Sequence, residues 1–218
     1  MVNFLILMGR SLIGRIKVLA KPIEFLFDFS SPYGYLAAHR IDAIGQKHNR
    51  EVKWMPFLLG AMFQINGQRP LKEQVLKWDY SSHDIERTAR RYGIEWELPE
   101  VFPIPTHAAG RAFYWINEQD EELAKQFALL VYQRYFTQGL DIRSENIIAE
   151  LALELGLGTD ACLRAIDSDI YKEKLKTVTS KAIERKVCGS PFIFVGNEPF
   201  WGHDRLDMVD EWLQTDGW

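Results

Sequence analysis

Two rhythms of apolar residues alternate along this chain. Glu24-Phe-Leu-Phe-Asp-Phe29 is a compact apolar and aromatic run, which predicts a buried strand. It stops at Ser30-Ser31-Pro32, and from Tyr33 to Ile44 the apolar positions take helical spacing. Ser31 fits the N-cap of that helix, where a hydroxyl accepts from an orphan backbone N–H. Pro32 fits the first helical position, where no N–H is needed. A second strand is predicted over Glu51–Phe57, so the opening reads β-α-β, as in a parallel crossover unit.

From Gly60 to about Lys186 the pattern is almost wholly helical, broken at Asn66-Gly67-Gln68-Arg69-Pro70 and Leu98–Pro105. The spacing predicts helices over Asp84–Tyr92, Ala108–Asn117, Glu121–Phe136, Ser144–Glu154, Asp160–Asp167 and Ile170–Arg185. Ser144 and Thr159 are the available cap residues for two of these, without the Glu that completes a capping box. Strands return at Pro191–Val195 and Glu198–Trp201, joined by the turn pair Gly196-Asn197. A helix over Asp204–Leu213 closes the pattern. A β-α-β half and a β-β-α half thus flank a long helical insertion.

The first 23 residues carry Arg10, Arg15, Lys17 and Lys21 and no acidic residue. The apolar stretch Phe4–Met8 is too short to span a bilayer. The positive charge follows it, the reverse of a secretory signal. Leu5, Leu12, Ile16 and Leu19 line one stripe, so a loose or peripherally docked amphipathic helix is expected, with a membrane-surface anchor or organelle address as the alternative.

Composition narrows the class. With 47% apolar residues, thirteen Phe, eight Tyr and seven Trp, the chain can bury a sizeable core. That excludes a disordered chain, a collagen and a disulfide-stapled miniprotein. A net charge of −4 lacks the basic footprint of a nucleic-acid binder. Cys162 and Cys188 form no C-x-x-C and suit a reducing compartment, so a cytoplasmic location is expected. There is no G-x-S-x-G elbow, H-E-x-x-H, Walker loop or G-x-G-x-x-G after the first strand, and the five histidines lack metal-ligand spacing. Neither a metal enzyme nor a nucleotide-driven one is expected.

Three positions are left to carry chemistry. In an open sheet, ligands bind beyond the carboxyl ends of the strands, which is where Ser31 falls. Its hydroxyl there serves either as a plain cap or as a hydrogen-bond donor to a bound thiolate. Gly189-Ser190-Pro191 precedes a strand, where the proline marks an edge start or a cis bond. In Phe200-Trp-Gly-His-Asp-Arg205, Asp204 reads most simply as an N-cap of the last helix.

Taken together, these features resemble a thioredoxin-like fold with a large inserted all-helical domain. Phe27-Asp-Phe-Ser-Ser-Pro-Tyr-Gly-Tyr-Leu-Ala37 and Trp201-Gly-His-Asp-Arg-Leu-Asp207 resemble the kappa-class glutathione transferases, and among them the 2-hydroxychromene-2-carboxylate isomerases, relatives of the DsbA oxidoreductases. The resemblance runs from about Ile23 to Leu213. It implies an N-terminal extension (1–22), a thioredoxin-like domain (23–59 and 187–218) and an inserted helical domain (60–186). It also implies glutathione as cofactor, a homodimer, and an isomerase of aromatic-compound catabolism. Ser31 takes the place of the oxidoreductase's nucleophilic cysteine and faces the glutathione sulfur. Pro191 is implied to be cis, with the backbone at Ser190 pairing with the peptide-like cofactor. His203 and Asp204 are implied at the γ-glutamyl end and Lys77 near the glycyl carboxylate. Gln68 stands where the family carries an Asn that touches glutathione; it keeps both amide functions on one more methylene.

The implied reaction is a cis-trans isomerisation at a conjugated double bond by transient thiol addition, the cofactor carrying the chemistry. A general kappa-like transferase or peroxidase, and a non-catalytic binding module, are the alternatives. Trp78, Tyr80, His107 and Arg111 are candidate walls for an aromatic carboxylate, against the plainer reading of helix-surface or core residues.

Overall fold

The computed structural model describes residues 21–218. The apolar stripe between Leu5 and Leu19 therefore lies outside the described residues. Strand β1 (Ile23–Phe27) pairs in parallel with β2 (Val52–Pro56), setting Phe25 beside Trp54. On its other side β1 meets β3 (Phe192–Val195) antiparallel, and β3 turns through Gly196 into β4 (Glu198–Trp201). The sheet order is β2-β1-β3-β4. As a central strand with both faces covered, β1 needs a continuous apolar run, and that is what Ile-Glu-Phe-Leu-Phe supplies. Its one charge, Glu24, is paired with Arg185.

The helix predicted over Tyr33–Ile44 is two helices, α1 (Pro32–Ala38) and α2 (Ile41–Lys47). Arg40, at φ −121°, leaves the helical region between them. Its guanidinium lies 4.2 Å over Tyr92 and bonds Asp207 at 2.7 Å, contacts that offset the broken helical bonds. Between β2 and β3 every regular element is helical among the described residues: α3 (Leu59–Asn66), α4 (Val75–Tyr92), α5 (His107–Asn117), α6 (Glu121–Gln138), α7 (Glu145–Glu154), α8 (Thr159–Asp167) and α9 (Asp169–Glu184). Helix α4 starts nine residues before the predicted Asp84, because exposed Val75 and Leu76 break its amphipathic pattern. Ser144 caps α7 through the Ile147 N–H. Thr159 does not cap α8; Gly158 holds that position. Asp204 does not cap α10 (Leu206–Thr215), which starts after a short 3-10 turn.

A single apolar cluster joins the sheet to the helices. Phe27, fully buried, meets Phe113 of α5 edge-on at 5.9 Å and Tyr132 of α6 at 5.8 Å. This packing fixes where β1 ends, and so where the turn after it points.

Candidate active site

The turn from β1 into α1 is buried and mostly polar: Asp28, Ser30 and Ser31 are all buried. Ser31 is the N-cap of α1. Its Oγ accepts the Gly34 N–H at 3.0 Å and donates to the Ser190 carbonyl at 2.9 Å. Ser190 Oγ in turn accepts the Asp28 N–H at 2.9 Å. The Ser190–Pro191 peptide is cis. Two segments 159 positions apart are thereby laced into one floor. A side chain at Gly34 would place its Cβ 2.6 Å from the Tyr132 hydroxyl and 3.1 Å from Ser190 Oγ, so glycine is what allows α1 to approach this closely.

Asp28 anchors the floor. Its Oδ1 accepts the Ser30 N–H (2.7 Å) and the Thr106 hydroxyl (3.3 Å), and its Oδ2 accepts the Leu59 N–H (2.8 Å). Ser30 Oγ accepts the Ile104 N–H at 3.1 Å. Burial pushes the Asp28 carboxyl up to about 6 against these stabilising donors.

Above the floor opens a cavity of about 1600 Å³. The 58–71 stretch, α4, the 102–107 loop, residues 188–190 and residues 201–205 form its walls. Ser31, Gln68, Lys77, Ser190, His203 and Asp204 all line it; Pro191 is buried behind Ser190 and does not. Lys77 forms no ion pair among the described residues and projects from α4. Among the described residues the Gln68 side chain makes no hydrogen bond, while its N–H closes a turn onto Asn66 Oδ1. His203 stacks on Tyr33 at 4.7 Å, and burial lowers its pKa, favouring a neutral ring. Asp204 is exposed and pairs with Arg205 at 3.1 Å.

Of the four wall candidates, Tyr80 and His107 line the cavity. Trp78 instead packs on Phe102 at 5.6 Å, and Arg111 turns away to the Ile166 carbonyl at 3.3 Å. Sequence reasoning missed Asp28, Arg69, Arg91 and the 102–106 loop, which also line it. Pro103 and Pro105 read only as helix breakers, although Phe102–Pro103 is a second cis peptide. Cys188 lines the cavity too, but burial pushes its thiol up, away from the reactive thiolate. Among the described residues no group of His, Cys, Asp and Glu could hold a metal ion.

A model of the DSBA-like thioredoxin domain matches residues 22–214. The chain belongs to the DSBA-like thioredoxin family. Within that family it is 30% identical to a 2-hydroxychromene-2-carboxylate isomerase of Pseudomonas putida, over 86% of this chain and 92% of the relative. It is 26% identical to glutathione S-transferase kappa 1 of Caenorhabditis elegans, over 88% and 90% respectively. A solved structure of a 2-hydroxychromene-2-carboxylate isomerase superposes with a TM-score of 0.80 at 28% identity, covering 88% of this chain and 94% of that one. The thioredoxin-like fold with a helical insertion is therefore this chain's fold. The residue capping α1 is Ser31, and no cysteine adjoins it.

Proposed function

We propose that this protein is a glutathione-dependent isomerase acting on 2-hydroxychromene-2-carboxylate-like aromatic pyruvates. One observation carries the reading: a serine hydroxyl, held at the start of α1 and tied to the Ser190 carbonyl, forms the floor of a cavity large enough for two ligands. The similarity to named isomerases supports it.

The donor set fits a γ-glutamyl tripeptide. Lys77 would face the glycyl carboxylate, Gln68 would offer its amide, and Ser190 its backbone to the cysteinyl unit. His203 and Asp204 would take the γ-glutamyl end, with Asp204 turning from Arg205 to the ammonium. When bound, glutathione supplies a thiol that adds reversibly to a conjugated double bond. Ser31 keeps the Gly34 N–H and swings its own proton from the Ser190 carbonyl toward the sulfur, favouring the ionised thiol. Helix α1 spans only seven residues, so this local hydroxyl matters more than a long dipole. Tyr80 and His107 are proposed to face the aromatic substrate, and the 60–186 helical domain to close that side of the cavity. Ser31 is not a covalent nucleophile in this scheme, having no base to activate it.

We place the protein in the cytoplasm, in aromatic-compound catabolism. Among the described residues no helix is long and apolar enough to cross a membrane. A homodimer is supported by the exposed apolar residues Ile65, Val75 and Leu76. The test is turnover of cis/trans-isomerisable aromatic pyruvates with and without glutathione. The expected result is isomerisation only with glutathione. Isomerisation without it, or conjugates accumulating in place of isomerised product, would overturn the reading in favour of another chemistry.

A further inference from the structure

At Asp28, three walls of the cavity share one partner. The α3 start (Leu59 N–H), the 102–106 loop (Thr106 hydroxyl) and the α1 entry (Ser30 N–H) all donate to its carboxylate. Its own N–H holds Ser190 Oγ, and its carbonyl accepts the Tyr132 hydroxyl at 2.9 Å. The backbone N–H groups of Leu59 and Ser30 can only donate. A proton added to the carboxyl therefore meets a donor at either of them, and Thr106 Oγ1 can accept it only by giving up its own donation, so protonation loosens the shared anchor. We propose that Asp28 is a positioning residue for the glutathione site, and that its ionised carboxylate holds the cavity walls in their binding arrangement.

The inference rests on the glutathione reading. Around Asp28 the facing groups come from several elements. Tyr132 and Tyr135 of α6 are kept protonated by burial. Thr106 and Ser190 are uncharged, and next to them in sequence are His107, whose pKa is lowered by burial and Arg111, and Cys188, whose thiol is pushed up. Among the described residues no charged side chain contributes to the state of the carboxyl itself. Burial sets that state, and brings it to about 6, within reach of ordinary pH changes.

The experiment follows the Asp28 carboxyl by carbon NMR and the affinity for reduced glutathione by calorimetry, from pH 5 to pH 7.5. It uses the full chain, Asp28→Asn and Thr106→Val. Parent affinity should fall roughly tenfold on acidification, with the midpoint of the Asp28 titration; that is the scale of one hydrogen bond to a charged group. Asp28→Asn should bind weakly at every pH and show no such midpoint. Thr106→Val keeps the carboxylate but loses a donor that stabilises its charge, so its midpoint should move to higher pH. That variant decides the matter if Asp28→Asn does not fold. A flat parent profile, an unmoved midpoint in Thr106→Val, or Asp28→Asn binding as the parent does would overturn the role. So would a tighter-binding Asp28→Asn with a lowered thiol pKa, since the carboxylate would then act through its charge. If glutathione binds none of the three proteins at pH 7.5, the functional reading fails. Amide exchange at Leu59 and Ser30 then judges Asp28 separately: protection, taken relative to the intrinsic exchange rate at each pH, that does not fall below the carboxyl's midpoint overturns the anchoring.

Discussion

Ser31 uses its hydroxyl twice within the protein, accepting from Gly34 and donating to Ser190, so removing it tests two roles at once. As a cap its loss costs about 1 kcal/mol, and Ser31→Asp should cap equally well. As a partner of a thiolate its loss should cut turnover roughly ten- to a hundredfold. We expect Ser31→Ala to unfold at slightly lower denaturant, retain glutathione and turn over slowly, with Ser31→Asp slower still because its charge repels the sulfur. Unchanged bound-thiol pKa and rate in Ser31→Ala, read by thiolate absorbance and product formation, would leave Ser31 a cap only. Asp28 has the opposite signature. Its folded pKa, about 6, lies above the ordinary 3.8, so the folded protein binds a proton more readily than the unfolded chain. Stability from this group therefore rises as pH falls from about 6 toward 4, and above 6 the full cost of the buried charge, about 3 kcal/mol, is present. Asp28→Asn should lack that slope when urea midpoints at pH 4.5 and pH 7 are compared with the parent's.

Helix α1 depends on its small residues. Gly34→Ala would drive a methyl into the Tyr132 hydroxyl, and the displaced floor should cost about 1–3 kcal/mol while weakening glutathione binding. Calorimetric unfolding and a glutathione titration check both. The elements whose patterns are local were legible in the sequence. Strand β4 and the Gly196-Asn197 turn fall where predicted, and Phe25 and Phe27 are as buried as their run implied. The break at His39–Arg40 was not legible, because Arg40 is drawn out by Tyr92 and Asp207, partners 52 and 167 positions away. Asp28 escaped notice for the same reason. Two of its three donors sit at 59 and 106, and nothing in Phe-Asp-Phe announces them. Thr159 and Asp204 had the right chemistry for caps, but the chain entered both helices a residue or more away.

At the scale of the whole molecule, one core ties the sheet to most of the inserted helices, while α4 packs on α1 through a smaller cluster of Leu36, Ile85 and Ala89. Deleting the ring of Phe27, which touches α5 and α6 alike, should therefore destabilise the entire chain by about 3–5 kcal/mol in one cooperative transition. Two separate transitions in denaturant would show that the halves fold independently. The exposed apolar residues Ile65, Val75 and Leu76 lie outside that core. Sedimentation of the 25.3 kDa chain should give a particle of twice that mass, and Leu76→Glu should shift it to monomer. A parent sedimenting only as monomer at micromolar concentration would remove the dimer.

The lacing of Ser31 and Asp28 to Ser190 also bears on how the protein is made. On the ribosome β1 and β2 emerge early, but β1 keeps an open edge until β3 arrives at residue 192, after the whole helical stretch has been translated. An unpaired apolar strand edge invites pairing with other chains, and closing so long a loop slows the correct pairing. Stalled chains ending before β3 should be sticky and blind to glutathione. Release of the last thirty or so residues would complete the central strand and the floor together, so ligand binding reports on finished synthesis.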